Sequence, residues 1–213
     1  MLAERVGLSG AVIGVERSDE AVELAREFVA ARDLRNVEVV CVDARDTALP
    51  RRSFDLVATR LVLVNVPTPE QILAEAVALL RPGGLVACHE LAWPLTLDPP
   101  LMAWERLYEV LRAYARSNDI DLFVGRRLPR LMREHGVLDV RARPIVYAYP
   151  VGHTNRMLPL RFAENLAERI VSDHFIGQSE LTELTAELER HLEDPNTFVI
   201  SGTFVQAWGR IAV

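Results

Sequence analysis

The chain has 213 residues, half of them hydrophobic and a quarter charged, the composition of an ordinary globular protein able to bury one sizeable core. Its formal net charge is −6 and no basic stripe is visible, which argues against a nucleic-acid surface, since phosphate binders cluster cations. No apolar run approaches the roughly 20 residues that cross a bilayer, and the N-terminus lacks the basic-then-apolar order of a signal peptide.

In chain order, GAVIGVE at 10–16 is an apolar run ending in an acid, the pattern of a buried parallel strand. Ser18 or Asp19 then caps a helix whose apolar face is Ala21, Leu24, Ala25, Phe28 and Val29. VEVVCVD at 37–43 is the next strand, and the polar turn ALPRRS leads to FDLVATRLVLV at 54–64. Pro67 and Pro69 precede a helix over 70–81, which Gly83-Gly84 is expected to end by supplying positive φ. GLVACHEL at 84–91 is the following strand. This rhythm predicts βαβ units, right-handed crossovers and an α/β fold with a doubly wound, mostly parallel sheet. Beyond it, helices are expected at 100–116, 126–136, 158–176 and 178–193, with strands at 140–150 and 197–211. Cys41 and Cys88 lie in strand-like apolar runs, so each is expected as a small hydrophobe in a reducing, cytoplasmic setting, with neither a disulfide nor a metal site. All the basic residues are arginine, which reads as a coding bias, since lysine and arginine are not physically equivalent.

Two acids carry the first functional reading. In doubly wound folds ligands bind outside the carboxyl ends of strands, and Glu16, at such an end, can hold both hydroxyls of a ribose. Its alternative is a solvated acid opening a helix. Asp43, ending the next strand, can accept the exocyclic amine of adenine while the Ala44 N–H faces a ring nitrogen; the alternative is a turn or cap residue. Both acids end neighbouring parallel strands and so face one crevice.

GAVIGVERS, VVCVDA, FDLVATRLVL and LLRPGG, in this order and spacing, resemble the later motifs of class I S-adenosylmethionine-dependent methyltransferases. The likeness is strongest over residues 5–95, and the branch most resembled is the small-molecule one that includes the ubiquinone and menaquinone biosynthesis enzymes. It implies a Rossmann-like sheet of seven strands with the last antiparallel, and S-adenosylmethionine as cofactor. Carried over, Glu16 would hold the ribose, Arg17 would flank the adenine, and Asp43 and Ala44 would read its edge. Arg60 and Leu61 would lie beside the methionine part, although Arg60 is equally readable as half of a surface ion pair. The family's pattern also has a strand and a D-x-G-x-G-x-G loop ahead of the Glu16 strand. MLAERVGLS looks like the end of the intervening helix, so the expected domain, 1–213, lacks its first strand and glycine-rich loop. The Glu16 strand would then pair with the 54–60 strand, or another segment would fill the place between them.

For the chemistry, a general base is expected only if the acceptor must lose a proton. His89, Glu90 and His153 are the candidates, with His89 as readily turned into a helix layer. Residues 92–125 and 151–195 are expected as lid insertions, and Trp93, Trp104 and Phe123 as an apolar acceptor wall or as plain core. The expected partner is a small, partly hydrophobic organic acceptor, with no nucleic acid and no membrane span and with room for a homodimer. The runner-up is a degenerate, non-catalytic remnant of the fold acting as a binding or scaffold partner. A nicotinamide-dependent dehydrogenase is disfavoured by the lack of G-x-G-x-x-G and by the closing antiparallel strand.

Overall fold

The alternation of apolar runs and amphipathic stretches up to residue 93 folds much as its spacing predicts. A computed structural model describes residues 2–213. In order, the elements are α1 (Leu2–Val6), β1 (Val12–Glu16), α2 (Asp19–Ala31), β2 (Val37–Cys41), β3 (Phe54–Arg60), α3 (Pro69–Leu79), β4 (Leu80–Trp93) and β5 (Thr96–Asp98). There follow α4 (Met102–Ser117), α5 (Leu128–Glu134), β6 (Leu138–Ile145), α6 (Leu158–Ser172), α7 (Gln178–Glu193), β7 (Phe198–Ile200) and β8 (Thr203–Arg210). Short 3-10 turns occur at Leu63–Asn65, Val124–Arg126 and Thr154–Met157. Ser18 caps α2 from extended backbone, its hydroxyl accepting the Ala21 N–H at 3.4 Å.

The strands form three sheets rather than one. β1 and β2 pair in parallel, β3-β4-β8-β6 form a four-stranded sheet, and β5 and β7 pair antiparallel. β8 runs antiparallel to both β4 and β6, so the expected antiparallel closing strand is present. Two expectations fail. β1 does not pair with β3, and no other described strand lies between them, so the sheet is broken at that point. A β1–β3 ladder would need the free edges of the two strands to come within about 4.8 Å; as folded, each pairs on one edge only, β1 with β2 and β3 with β4.

Several boundaries also differ. The helix expected over 70–81 stops at Leu79, before the glycines, and β4 begins at once with Leu80 opposite Phe54. Gly83 does take positive φ, +76°, but inside the strand span, where its N–H donates to Ala212 O. The single long strand expected at 197–211 divides at Ser201-Gly202. A Cβ on Gly202 would lie 2.6 Å from Leu91 Cδ1 and from the Trp93 carbonyl, so the chain turns where only glycine fits beneath β4. Cys88 is buried as expected. Cys41 is not: it is exposed, and its thiol donates to Asp19 Oδ1 at 3.1 Å, which pushes its pKa up.

Burial is divided between two clusters. One packs α3 and α5 against β4 and β8, through Leu73, Leu80, Val86, Leu128, Leu131, Met132 and Ala207. The second packs α4, α6 and α7 with β5 and β7, through Leu97, Leu107, Leu111, Ile170, Leu188 and Val199. Fully burying each leucine or isoleucine contributes about 1.5–3 kcal/mol. Alternation along β4 buries Val86, Cys88 and Glu90, the first two within the first cluster. Its other face, shared across the ladder by Leu56 with Leu85, Ala58 with Ala87 and Arg60 with His89, leaves Leu56, Ala58 and Arg60 exposed. His89 therefore stands on the more open face rather than in the α3–α5 layer. No helix among the described residues is long and apolar enough to cross a membrane.

Candidate functional site

The carboxyl ends of β1, β2 and β3 open onto one cavity of about 260 Å³. Glu16 and Arg17 line it from β1, Asp43, Ala44 and Arg45 from the end of β2, and Leu61 and Val62 from the turn after β3. The two acids thus meet at one crevice, at the ends of two paired strands, with the turn after β3 facing them across the break in the sheet. Glu16 bends back on the chain, its Oε1 accepting the N–H groups of Arg17 at 2.8 Å and Ser18 at 3.0 Å. Its second oxygen accepts nothing from the described residues and is open to a hydroxyl pair. Asp43 is engaged: Arg45 donates to both its oxygens, at 2.6 Å from Nη2 to Oδ2, and its backbone N–H donates at 2.8 Å. That partner holds the Asp43 carboxyl down at about 2. An exposed pair of this kind is worth about 0–1 kcal/mol, so a ligand that replaces Arg45 on Asp43 meets a small barrier. Ala44 packs on the first cluster, anchoring the end of β2.

Two buried carboxylates hold the cavity walls. Glu75 on α3 accepts the Thr47 hydroxyl at 2.6 Å and its N–H at 3.0 Å, and pairs with Arg51. Burial alone would raise its pKa, but those partners outweigh it and the carboxyl is lowered. The segment after Asp43 is thereby tied to the helix after β3. Glu90 is wholly buried, and its Oε1 accepts the N–H groups of Val62 at 3.1 Å and Leu63 at 3.2 Å while Oε2 accepts that of Val64 at 3.1 Å. The Thr59 hydroxyl adds a longer bond at 3.4 Å. These are the orphan donors of the 3-10 turn, where an anion is favoured. Burial pushes the Glu90 pKa up against these bonds. The turn it holds carries Leu61 at φ +54°, a conformation that costs a non-glycine residue of order 1–3 kcal/mol. The Leu61 N–H donates to His89 O at 2.9 Å and its carbonyl accepts Asn65 Nδ2 at 2.7 Å.

The remaining candidates are placed elsewhere. Arg60 does not line the cavity; it lies opposite His89 on the exposed face of β3 and β4. His89 lies against Phe204, with ring centroids 5.3 Å apart and planes tilted by 39°, and shares a 3.0 Å hydrogen bond with Gln206 Nε2. Burial first, and Arg60 second, hold its imidazole below the usual pKa. Glu90, with its oxygens filled, supports the wall rather than reaching a reactant. His153 caps the Thr154–Met157 turn, accepting the Asn155 N–H at 3.1 Å, and stacks on Tyr149 at 5.0 Å. It lines a second cavity of about 360 Å³ beside α7. Sequence reading missed Asn65, Pro67 and Thr68, which complete the first cavity; the signal was the proline-punctuated turn immediately after a strand end on the crevice side.

This order of strands and helices is that of the class I methyltransferase fold, and residues 1–88 match the family model described as "Methyltransferase domain". Among relatives, the chain is 34% identical over 114 residues to a demethylmenaquinone methyltransferase of Listeria monocytogenes, covering 54% of this chain and 46% of the relative. It is 29% identical over 170 residues to a demethylmenaquinone methyltransferase of Geobacillus kaustophilus, covering 71% of this chain and 70% of that one. The match thus spans about half the length of the Listeria relative. Among solved structures, phosphoethanolamine N-methyltransferase 2 of Haemonchus contortus, in complex with phosphomonomethylethanolamine and S-adenosylhomocysteine, superposes with a TM-score of 0.57 at 15% identity. That likeness covers 94% of this chain and 43% of that one, and it shows the fold.

Proposed function

We propose that this chain carries the adenosine-binding half of a methyl-transfer site, with S-adenosylmethionine as donor and a small, partly hydrophobic organic acceptor. The convergence of Glu16, Asp43 and Ala44 on one cavity supports this most. A carboxylate oxygen open to a ribose diol, an acid beside a free backbone N–H, and an apolar wall at Leu61 and Val62 match a polar nucleoside attached to a thioether chain. The donor supplies a methyl already activated on sulfur. Glu16 would orient the ribose, Asp43 and Ala44 the adenine edge, and Leu61 and Val62 would keep water from the sulfur end. Positioning of this kind can account for several kcal/mol of barrier. The carboxylates lining the cavity, Glu16 and Asp43, are both assigned to the adenosine, which favours an acceptor that is nucleophilic without enzymatic deprotonation.

The α4–α6–α7 layer, covering residues 92–125 and 151–195, is read as the cover of the acceptor side. With β1 and β3 unjoined, S-adenosylhomocysteine is expected to bind these 213 residues at least ~100-fold more weakly than a protein whose sheet is continuous there. Isothermal titration tests both readings. Weak binding that falls a further ~10-fold in Glu16→Gln is the expected result. Low-micromolar binding would refute the weakness, and binding indifferent to Glu16→Gln would refute the assignment of the site.

A further inference from the structure

Beyond the adenosine cavity, the end of β4 carries an aromatic group fringed by unsatisfied arginines. A Cβ on buried Gly125 would lie 2.6 Å from Leu91 O and 2.7 Å from Glu90 O, so the Val124–Arg126 turn sits directly on the strand end. That contact sets Phe123 beside Trp93, with ring centroids 6.0 Å apart. Tyr108 of α4 lies 6.3 Å from Phe123, and Trp104 lies 5.6 Å from Tyr108. Trp93 is 56% exposed, a large apolar side chain left open at one end of this group.

The Arg126 guanidinium lies 5.0 Å from the Phe123 centroid and 5.9 Å from that of Trp93. Arg112 lies 5.7 Å from the Tyr108 ring. The charged groups acting on the Tyr108 phenol are Arg112, Arg126 and Arg116. None of these three arginines makes an ion pair or side-chain hydrogen bond with a described residue. The neighbouring acids are engaged elsewhere, Glu109 with Arg106 and Asp121 with Arg127. In a chain of net charge −6, three guanidinium groups without ion partners among the described residues gather around these tilted rings. A guanidinium over a ring is held in a plane, yet keeps its N–H donors at its edge, the geometry that meets a carboxylate with two bonds.

We propose that this cluster is the acceptor subsite and that it takes a planar aromatic ring bearing a carboxylate: Trp93 and Phe123 stack on the ring and Arg126 holds the anion. This rests on the methyl-transfer reading, and its test separates the two. The intact chain is titrated calorimetrically at neutral pH with 2-naphthoate and with the uncharged 2-naphthalenemethanol. The naphthoate binds at least ~10-fold more tightly, the preference disappears in Arg126→Ala, and Arg126→Lys recovers part of it. Added salt weakens the naphthoate alone. Equal affinities, no binding of either probe, or a preference that survives Arg126→Ala overturns the subsite. A parallel titration with S-adenosylhomocysteine distinguishes the failures. If it binds while the naphthyl probes bind equally, the subsite falls and methyl transfer stands. If the naphthoate preference appears while S-adenosylhomocysteine binding is indifferent to Glu16→Gln, the anion site stands and the methyl-transfer reading falls.

Discussion

Residues 2–62 and residues 63–213 are built to different standards. In the first stretch only Ala3, Val22 and Thr47 are buried, and the apolar face of α2 leaves Leu24 61% and Phe28 43% exposed. β1 and β2 pair with each other alone. The second stretch holds the buried residues of both hydrophobic clusters and three strands of the four-stranded sheet, β4, β8 and β6, with β4 and β8 each having two partners; β3 joins that sheet from the first stretch. Glu16 and Asp43 belong to the weakly packed part together with Leu61 and Val62, whereas Val66 and Ile72, which line the same cavity, belong to the well-packed part. Ties such as Glu75 to Thr47 and Arg51 connect the two.

The contrast can be broken by substitution. Leu131→Ala, deep in the α5 contact, should cost about 2–5 kcal/mol in urea denaturation, while Leu24→Ala on α2 should stay within about 0.5 kcal/mol. Similar losses at both positions would show that α2 is packed as tightly as the core. Glu90→Ala should cost on the order of 3 kcal/mol, because it leaves the Val62, Leu63 and Val64 N–H groups without acceptors; a change under about 1 kcal/mol would remove Glu90 as the support of that turn. Native-state hydrogen exchange should sharpen the same comparison. Amides of Val12–Glu16 should exchange at least ~10-fold faster than those of β4 and β8, and equal protection would mean that the sheet behaves as one unit. The smallest effect concerns His89, whose imidazole should titrate by NMR below its ordinary value. Arg60→Ala removes a cation that disfavours the imidazolium, so the midpoint should rise. An unmoved midpoint would separate the two side chains.

The strand and helix order was legible because local periodicity and caps agree with the final packing, as at Ser18 and α2. The convergence of Glu16 and Asp43 was legible for a related reason, since acids ending consecutive parallel strands share a crevice. The break between β1 and β3 was not, because strand pairing is long-range and neither sequence encodes its neighbour. Glu90 looked like a strand-end acid available for chemistry; only the fold shows three N–H groups of a distant turn closing on it. The division of the last strand depends on Gly202 lying under Leu91, and the placing of Arg126 on Trp93 depends on Gly125 fitting against β4. Both are contacts between segments remote in sequence.

The central claim is that Glu16 and Asp43 face a single nucleoside. Titrating ¹⁵N-labelled protein with S-adenosylhomocysteine and following the backbone amides tests it most directly. The amides of Arg17, Ala44 and Val62 should shift together with one binding curve, while those around His153 stay still. Shifts confined to one of the two strand ends, or centred on the cavity beside α7, would contradict the account.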